Sequence, residues 1–159
     1  MKFAVAALAC ACLSSFPATA QGGDRASARN PAGLIALLTA AGYAPTLGTD
    51  STGDPMIDLL LAEYQATILF YDCDEAHKNC GSLQLRVGFD RDNPWTAAEA
   101  LAVSKKYRFA SMWLDGDGDP WVQWDVMTGE GIPAKVFLDS VSAFSDTVED
   151  IAEIVFEND

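Results

Sequence analysis

The chain is 159 residues long, half of it apolar, with 10 basic against 23 acidic residues and a formal charge of −13. That length suits one domain, and an apolar half can build a core, which excludes disorder as the default. The acidic balance argues against binding nucleic-acid backbones or anionic lipid, both of which need clustered Lys and Arg.

Lys2 followed by the apolar stretch Phe3 to Phe16, then Ala18-Thr19-Ala20 in small-x-small form, reads as a secretory signal over 1–20 cleaved before Gln21. The run is shorter than the roughly 20 apolar residues a membrane span needs. Cys10 and Cys12 lie too early to serve as lipoprotein cysteines. Cleavage leaves 139 residues at −14, with Cys73 and Cys80 the remaining pair. A periplasmic or secreted location makes a disulfide between them the expected state.

Residues 21–30 are polar and small, a short flexible lead-in to a domain over 31–157. Asn30-Pro31 opens a first helix, with Asn as cap and Pro at the first helical position, and Gly42 ends it. Tyr43–Thr49 and Pro55–Leu61 flank the turn Asp50-Ser51-Thr52-Gly53-Asp54 as a hairpin. Gln65–Cys73 is β-branched and aromatic. Ser82–Phe89 alternates strictly, Leu83, Leu85, Val87 and Phe89 inward, the mark of a sheet with one face on a core. Thr96-x-x-Glu99 is a capping box opening a second helix that runs to about Lys106. Phe109–Leu114 and Trp121–Met127 form another hairpin around Gly116-Asp117-Gly118-Asp119. A helix from Pro133 to about Phe156 closes the chain, with Phe137, Val141, Phe144, Val148, Ile151 and Val155 stepping by four and three. The order α-β-β-β-β-α-β-β-α reads as one α+β domain with an antiparallel sheet of about six strands.

Cys73 and Cys80 fall at the facing ends of two adjacent strands. A structural disulfide is the leading reading. A metal site of Cys73, His77 and Cys80 lacks a fourth ligand, and a redox pair would favour Cys-x-x-Cys at a helix start. Asp115-Gly116-Asp117-Gly118-Asp119 begins like a calcium loop whose Asp115, Asp117 and Asp119 converge on one cation. Pro120 and Val126 break the rest of that pattern, and Asp-Gly pairs between strands are ordinary hairpin chemistry. His77 is the single histidine, and no nucleophile elbow, phosphate loop or dinucleotide turn occurs, so neither a catalytic site nor a cofactor is expected. A periplasmic metal or calcium-binding protein, or a small hydrolase or redox enzyme built on carboxylates or the cysteines, is the alternative. Trp113, Trp121 and Trp124 crowd the last hairpin, either as core or as a partner-binding surface. Trp121 and Trp124 have opposite parity and point to opposite faces. The stripe of the last helix packs on a sheet or, alternatively, on a second copy as a coiled coil. The acids gather in turns and on the outer side of that helix, a solvating surface that would attract a basic partner.

Phe70-Tyr71-x-Cys73, then Cys80-x-Ser82-Leu83-Gln84-Leu85, then Arg108-Phe109 leading into Leu114-Asp115-x-Asp117-Gly118-Asp119, with Asp125 and Gly131 following, resembles the YbjN family, labelled bacterial sensory transduction regulators. The resemblance spans about Ala32 to Phe156. It implies a fold similar to type III secretion chaperones, often dimeric, without catalytic residues, holding partner polypeptides on exposed sheet and helix surfaces. Two features depart from the family. Val103-Ser104 stands where it usually carries Trp-Asn, and the secretion signal sets this chain apart from cytoplasmic relatives.

Overall fold

Arg25 to Glu157 are described by the computed structural model. The signal segment 1–20 lies outside the described residues, as do 21–24 and 158–159. Eleven elements follow in order among the described residues: β1 (Arg25–Ala26), α1 (Pro31–Ala40), β2 (Thr46–Thr49), β3 (Pro55–Leu61), β4 (Tyr64–Tyr71), β5 (Ser82–Gly88), α2 (Ala97–Lys106), β6 (Ser111–Leu114), β7 (Pro120–Met127), β8 (Ile132–Pro133) and α3 (Ala134–Phe156). Six strands form one antiparallel sheet in the order β2-β3-β4-β5-β7-β6, and β1 pairs with β8 in a separate two-stranded ladder. This is the α+β architecture and element order expected from the sequence, with the β1–β8 ladder added.

The helix ends are set by local chemistry. Asn30 Oδ1 accepts from the Gly33 amide at 3.0 Å. At the other end of α1, Tyr43 and Gly42 donate back to the Leu38 and Thr39 carbonyls, with Gly42 at φ 94°. That is a Schellman closure, which needs the left-handed residue that glycine supplies without steric cost. The capping box of α2 is complete: Thr96 Oγ1 accepts from Glu99 N, and Thr96 N donates to Glu99 Oε2 at 2.7 Å. Lys105 and Lys106 in its last turn sit favourably at the negative end of the helix dipole.

Several boundaries differ from the sequence reading. The second strand starts at Thr46 rather than Tyr43, because the Schellman closure still engages Tyr43. The strands β3 and β4 join through Ala62 (φ 48°) and Glu63 (φ 69°), a two-residue turn with both positions left-handed and neither a glycine. β4 therefore begins at Tyr64, and it ends at Tyr71 because Asp72 turns to φ 57°. Phe109, at φ 66°, cannot extend β6, which starts at Ser111. Residues 25–30, read as part of a flexible lead-in, are packed instead: Ala26 and Ala28 are buried, Ala28 N donates to Thr128 Oγ1 at 3.0 Å, and the Arg25 guanidinium donates to the Gly131 carbonyl.

The core lies on one face of the sheet. Ile57 and Leu59 of β3, Ala66, Ile68 and Phe70 of β4, Leu83, Leu85 and Val87 of β5, and Val122 and Val126 of β7 are all buried. Against them stand Leu34 and Leu38 of α1 and the whole α3 stripe, whose six residues Phe137, Val141, Phe144, Val148, Ile151 and Val155 are each 0% exposed. Because that stripe is consumed by its own sheet, it leaves no seam for the coiled-coil alternative. α2 packs beside β6 through Ala100 and Val103. Ser104 Oγ accepts the Met112 amide at 3.1 Å and so satisfies a backbone donor on the sheet edge. Val103-Ser104 thus does two jobs here, one side chain in the core and the next on the β6 edge. No helix among the described residues is long and apolar enough to cross a membrane.

Candidate functional site

The opposite sheet face carries no helix among the described residues, and strand register lays its side chains out in rows. The first row runs from Leu60 through Gln65 and Gly88 to Trp121 and Trp113. The next holds Asp58, Thr67, Arg86, Gln123 and Ser111, and the third Met56, Leu69, Gln84 and Asp125. Tyr71, Ser82 and Met127 form the last. Leu60, Tyr71, Trp113 and Met127 are large apolar residues that stay exposed, from 39% for Trp113 to 72% for Met127. Between them lie hydrogen-bonded polar groups: Thr67 Oγ1 donates to Asp58, Tyr71 Oη donates to Gln84, and Gln84 Nε2 donates to Asp125 at 2.8 Å. The face thus sets spaced apolar side chains among polar groups that bond one another, except that Arg86 Nε in the second row is buried without a hydrogen-bond partner among the described residues.

The tryptophans divide as their parity requires. Trp113 and Trp121 face each other across β6 and β7 on the open side, rings stacked with centroids 5.4 Å apart and planes at 16°. The Trp121 ring covers Gly88, where an added Cβ would come within 2.6 Å of it, so glycine is required for the ring to lie there. Trp124 points the other way, into the helix layer, edge-on to Phe144 at 6.2 Å and tilted against Phe109 at 5.1 Å. It is a packing residue, and the open face contains only the other two members of the trio.

Three loops share one design. In Asp50–Asp54, Asp74–Lys78 and Asp115–Asp119 the opening aspartate donates its amide to the fifth residue's carbonyl, and the fourth residue donates back to the first. The opening carboxylate Oδ1 accepts from the third and fifth amides at 2.8–3.0 Å. The fourth position is left-handed each time: Gly53 at 97°, His77 at 58°, Gly118 at 87°. Asp115 turns its oxygens inward, Oδ2 accepting from Trp121 Nε1 at 3.2 Å. The same loop forms at Asp50, where no alternating acids are present, so turn closure accounts for this geometry without a cation. Asp117 lies exposed at the tip, and Asp119 Oδ1 accepts from the Arg91 amide at 3.0 Å. Among the described residues no group of three or more His, Cys, Asp or Glu is arranged to hold a metal ion.

The middle loop sits between the cysteines, whose sulfur atoms stand at disulfide-bonding distance. The two sulfurs face each other while His77 Nδ1 meets Asp54 Oδ1 at 2.8 Å, so the three side chains do not converge on one point. The His77 ring lies over Gly53 and links the cysteine loop to the β2–β3 turn.

The loop-opening carboxylates titrate below their ordinary value of 3.8. Asp50 is lowered first by the Thr52 hydroxyl, Asp74 by the Asn79 amide and Asp115 by the Trp121 indole, each then by loop amides. Glu99 is lowered from 4.5 by its bonds to Thr96. Hydrogen bonds to the ionised form have this effect. A depressed folded pKa gives stability that is full above the unfolded value and lost as pH falls through the folded one. The urea midpoint is therefore expected to hold from neutral pH down to about pH 5 and to drop below about pH 4. Asp50→Asn with Asp115→Asn, which keeps an acceptor oxygen and removes the charge, should flatten that acid limb. An unchanged acid limb would contradict the assignment.

The family model described as "Putative bacterial sensory transduction regulator", YbjN, matches residues 30–157. The chain belongs to the YbjN family. Comparison with curated proteins and with solved structures finds no match. As a YbjN member, the chain falls under a regulator description rather than that of a known enzyme family. The matched span runs from the cap of α1 to the end of α3 and takes in the whole six-stranded sheet.

Proposed function

We propose that this YbjN-family chain is an exported, non-enzymatic protein-binding module, chaperone-like or regulatory in use, that receives a partner polypeptide on its open sheet face. The observation that carries this reading is the placement of Trp113, Met127, Tyr71 and Leu60, exposed on four different strands of one face while the three helices of the described residues sit elsewhere. Large aromatic and sulfur-bearing side chains are what protein interfaces concentrate. The family's regulator description supports a protein partner.

Export is supported by the Lys2, apolar and Ala18-Thr19-Ala20 pattern, and by the cysteine pair at bonding distance, which an oxidising compartment would keep closed. In a cell-fractionation experiment the mature protein is expected in the periplasmic or secreted fraction, starting at Gln21, with no free thiol when denatured without reductant. Two reactive thiols in that fraction would remove the staple. The binding reading is tested by in-cell chemical crosslinking and mass spectrometry on wild type and on Trp113→Ala with Met127→Ser. A protein partner enriched with wild type should be depleted with the double variant. Equal recovery from both would place the interface elsewhere.

A further inference from the structure

The charge around the Trp113–Trp121 stack is mostly acidic, and it bears on the kind of polypeptide the face receives. At the end of the first row lies a cleft of about 240 Å³, lined by Trp121, Arg86, Asp90, Asp115 and Asp119 among others. Asp117 stands at the tip of the adjoining loop, exposed to solvent. Asp90 and Asp117 have no ion-pair partner among the described residues. The chain's own Arg86 rests against the Trp121 ring, its Cζ 5.2 Å from the ring centroid. This platform thus already accepts a guanidinium, and three lining carboxylates outnumber that single cation.

We propose that the Trp113–Trp121 platform and its acidic rim recognise a lysine or arginine side chain, so that the partner segment docking here is basic. The inference rests on the protein-binding reading above and narrows it to a partner chemistry. An aromatic face attracts a cation through its quadrupole, and neighbouring carboxylates add a Coulomb term of the same sign. A second copy of this chain is the poorer occupant, because once cleaved it would bring another −14 to a face already rimmed with acids.

The test measures fluorescence anisotropy of a labelled peptide of alternating lysine and serine, and of its glutamate–serine counterpart, with the full mature protein at low and physiological salt. The lysine peptide is expected to bind and the glutamate peptide not to. Trp113→Ala is expected to weaken binding about fivefold, the scale of one exposed cation–aromatic contact. Asp90→Asn with Asp117→Asn should weaken it by a similar factor. Asp146→Asn with Glu149→Gln removes the same charge from the exposed side of α3 and should change it less than twofold. Equal losses from both charge pairs would mean that net charge alone attracts the peptide, which overturns the proposal, as would no binding of the lysine peptide. Circular dichroism verifies that the variants fold, and the two independent routes, ring and rim, keep the outcome readable if one does not. The two readings fail separately. A crosslinker at position 113 that traps only an acidic protein in cells would overturn the cation inference and leave protein binding standing. Trapping no protein would overturn both.

Discussion

Replacing Phe144 with alanine is expected to cost about 3–5 kcal/mol of folding free energy, the range for truncating a buried phenylalanine. The residue is 0% exposed at the middle of α3, flanked one turn away on either side by Val141 and Val148, both also fully buried. Its ring meets the edge of Trp124 at 6.2 Å, and Trp124 in turn leans on Phe109. Truncation removes apolar area from the interface between helix and sheet and leaves a cavity that the α3 backbone, tied on both sides by its stripe, cannot collapse to fill. Domains are stable by about 5–15 kcal/mol, so this one change would take a large share of the total. Urea denaturation measures it directly, and Trp124 emission should shift as its packed neighbour disappears. Val136→Ala, on the exposed side of the same helix, should stay within about 0.5 kcal/mol. A loss below about 1 kcal/mol for Phe144→Ala would mean that α3 does not carry the core.

Opening the Cys73–Cys80 link is the second large effect. Closing an eight-residue loop is worth about 2.5 kcal/mol by the chain-entropy model, since the cross-link removes conformations from the unfolded chain. Cys80 is buried, and the loop it closes holds His77 over Gly53 and against Asp54, so the link also ties the β4–β5 connection to the β2–β3 turn. Reductant should lower the wild-type urea midpoint and leave Cys73→Ala with Cys80→Ala unaffected. Tyr71, Ser82 and Met127 lie at the strand ends nearest the link, whereas Trp113 and Trp121 occupy the far row. Loosening should therefore reach Met127 first and leave the tryptophan stack in place. A wild-type midpoint indifferent to reductant would contradict the staple.

How much of this was legible in the chain depended on whether the signal was local. The strict alternation of Ser82–Phe89 and the four-three spacing from Phe137 to Val155 each report one element against one core, and both elements stand as read. The α2 capping box needs only Thr96 and Glu99. The two-residue turn at Ala62-Glu63 was hidden because left-handed backbone usually announces itself with Gly or Asn, and neither is present. His77 hid the middle aspartate loop for the same reason, although an Asp at the first position of all three loops was there to be compared. The β1–β8 ladder is too short for any periodicity. For the tryptophans, parity separated Trp121 from Trp124, but which of them faced solvent depended on where α3 lay. Only the tertiary arrangement assigned Trp124 to the core and left Trp113 with Trp121 outside.

The open sheet face as a protein-docking surface is tested most directly by placing a photo-activated crosslinking amino acid at single positions and irradiating living cells. Positions 113 and 127 lie on that face, and positions 101 and 136 are comparably exposed on α2 and α3. A discrete protein adduct formed from 113 and 127 and absent from 101 and 136 is the predicted result. Adducts that form equally from all four positions, or from none of them, would contradict it.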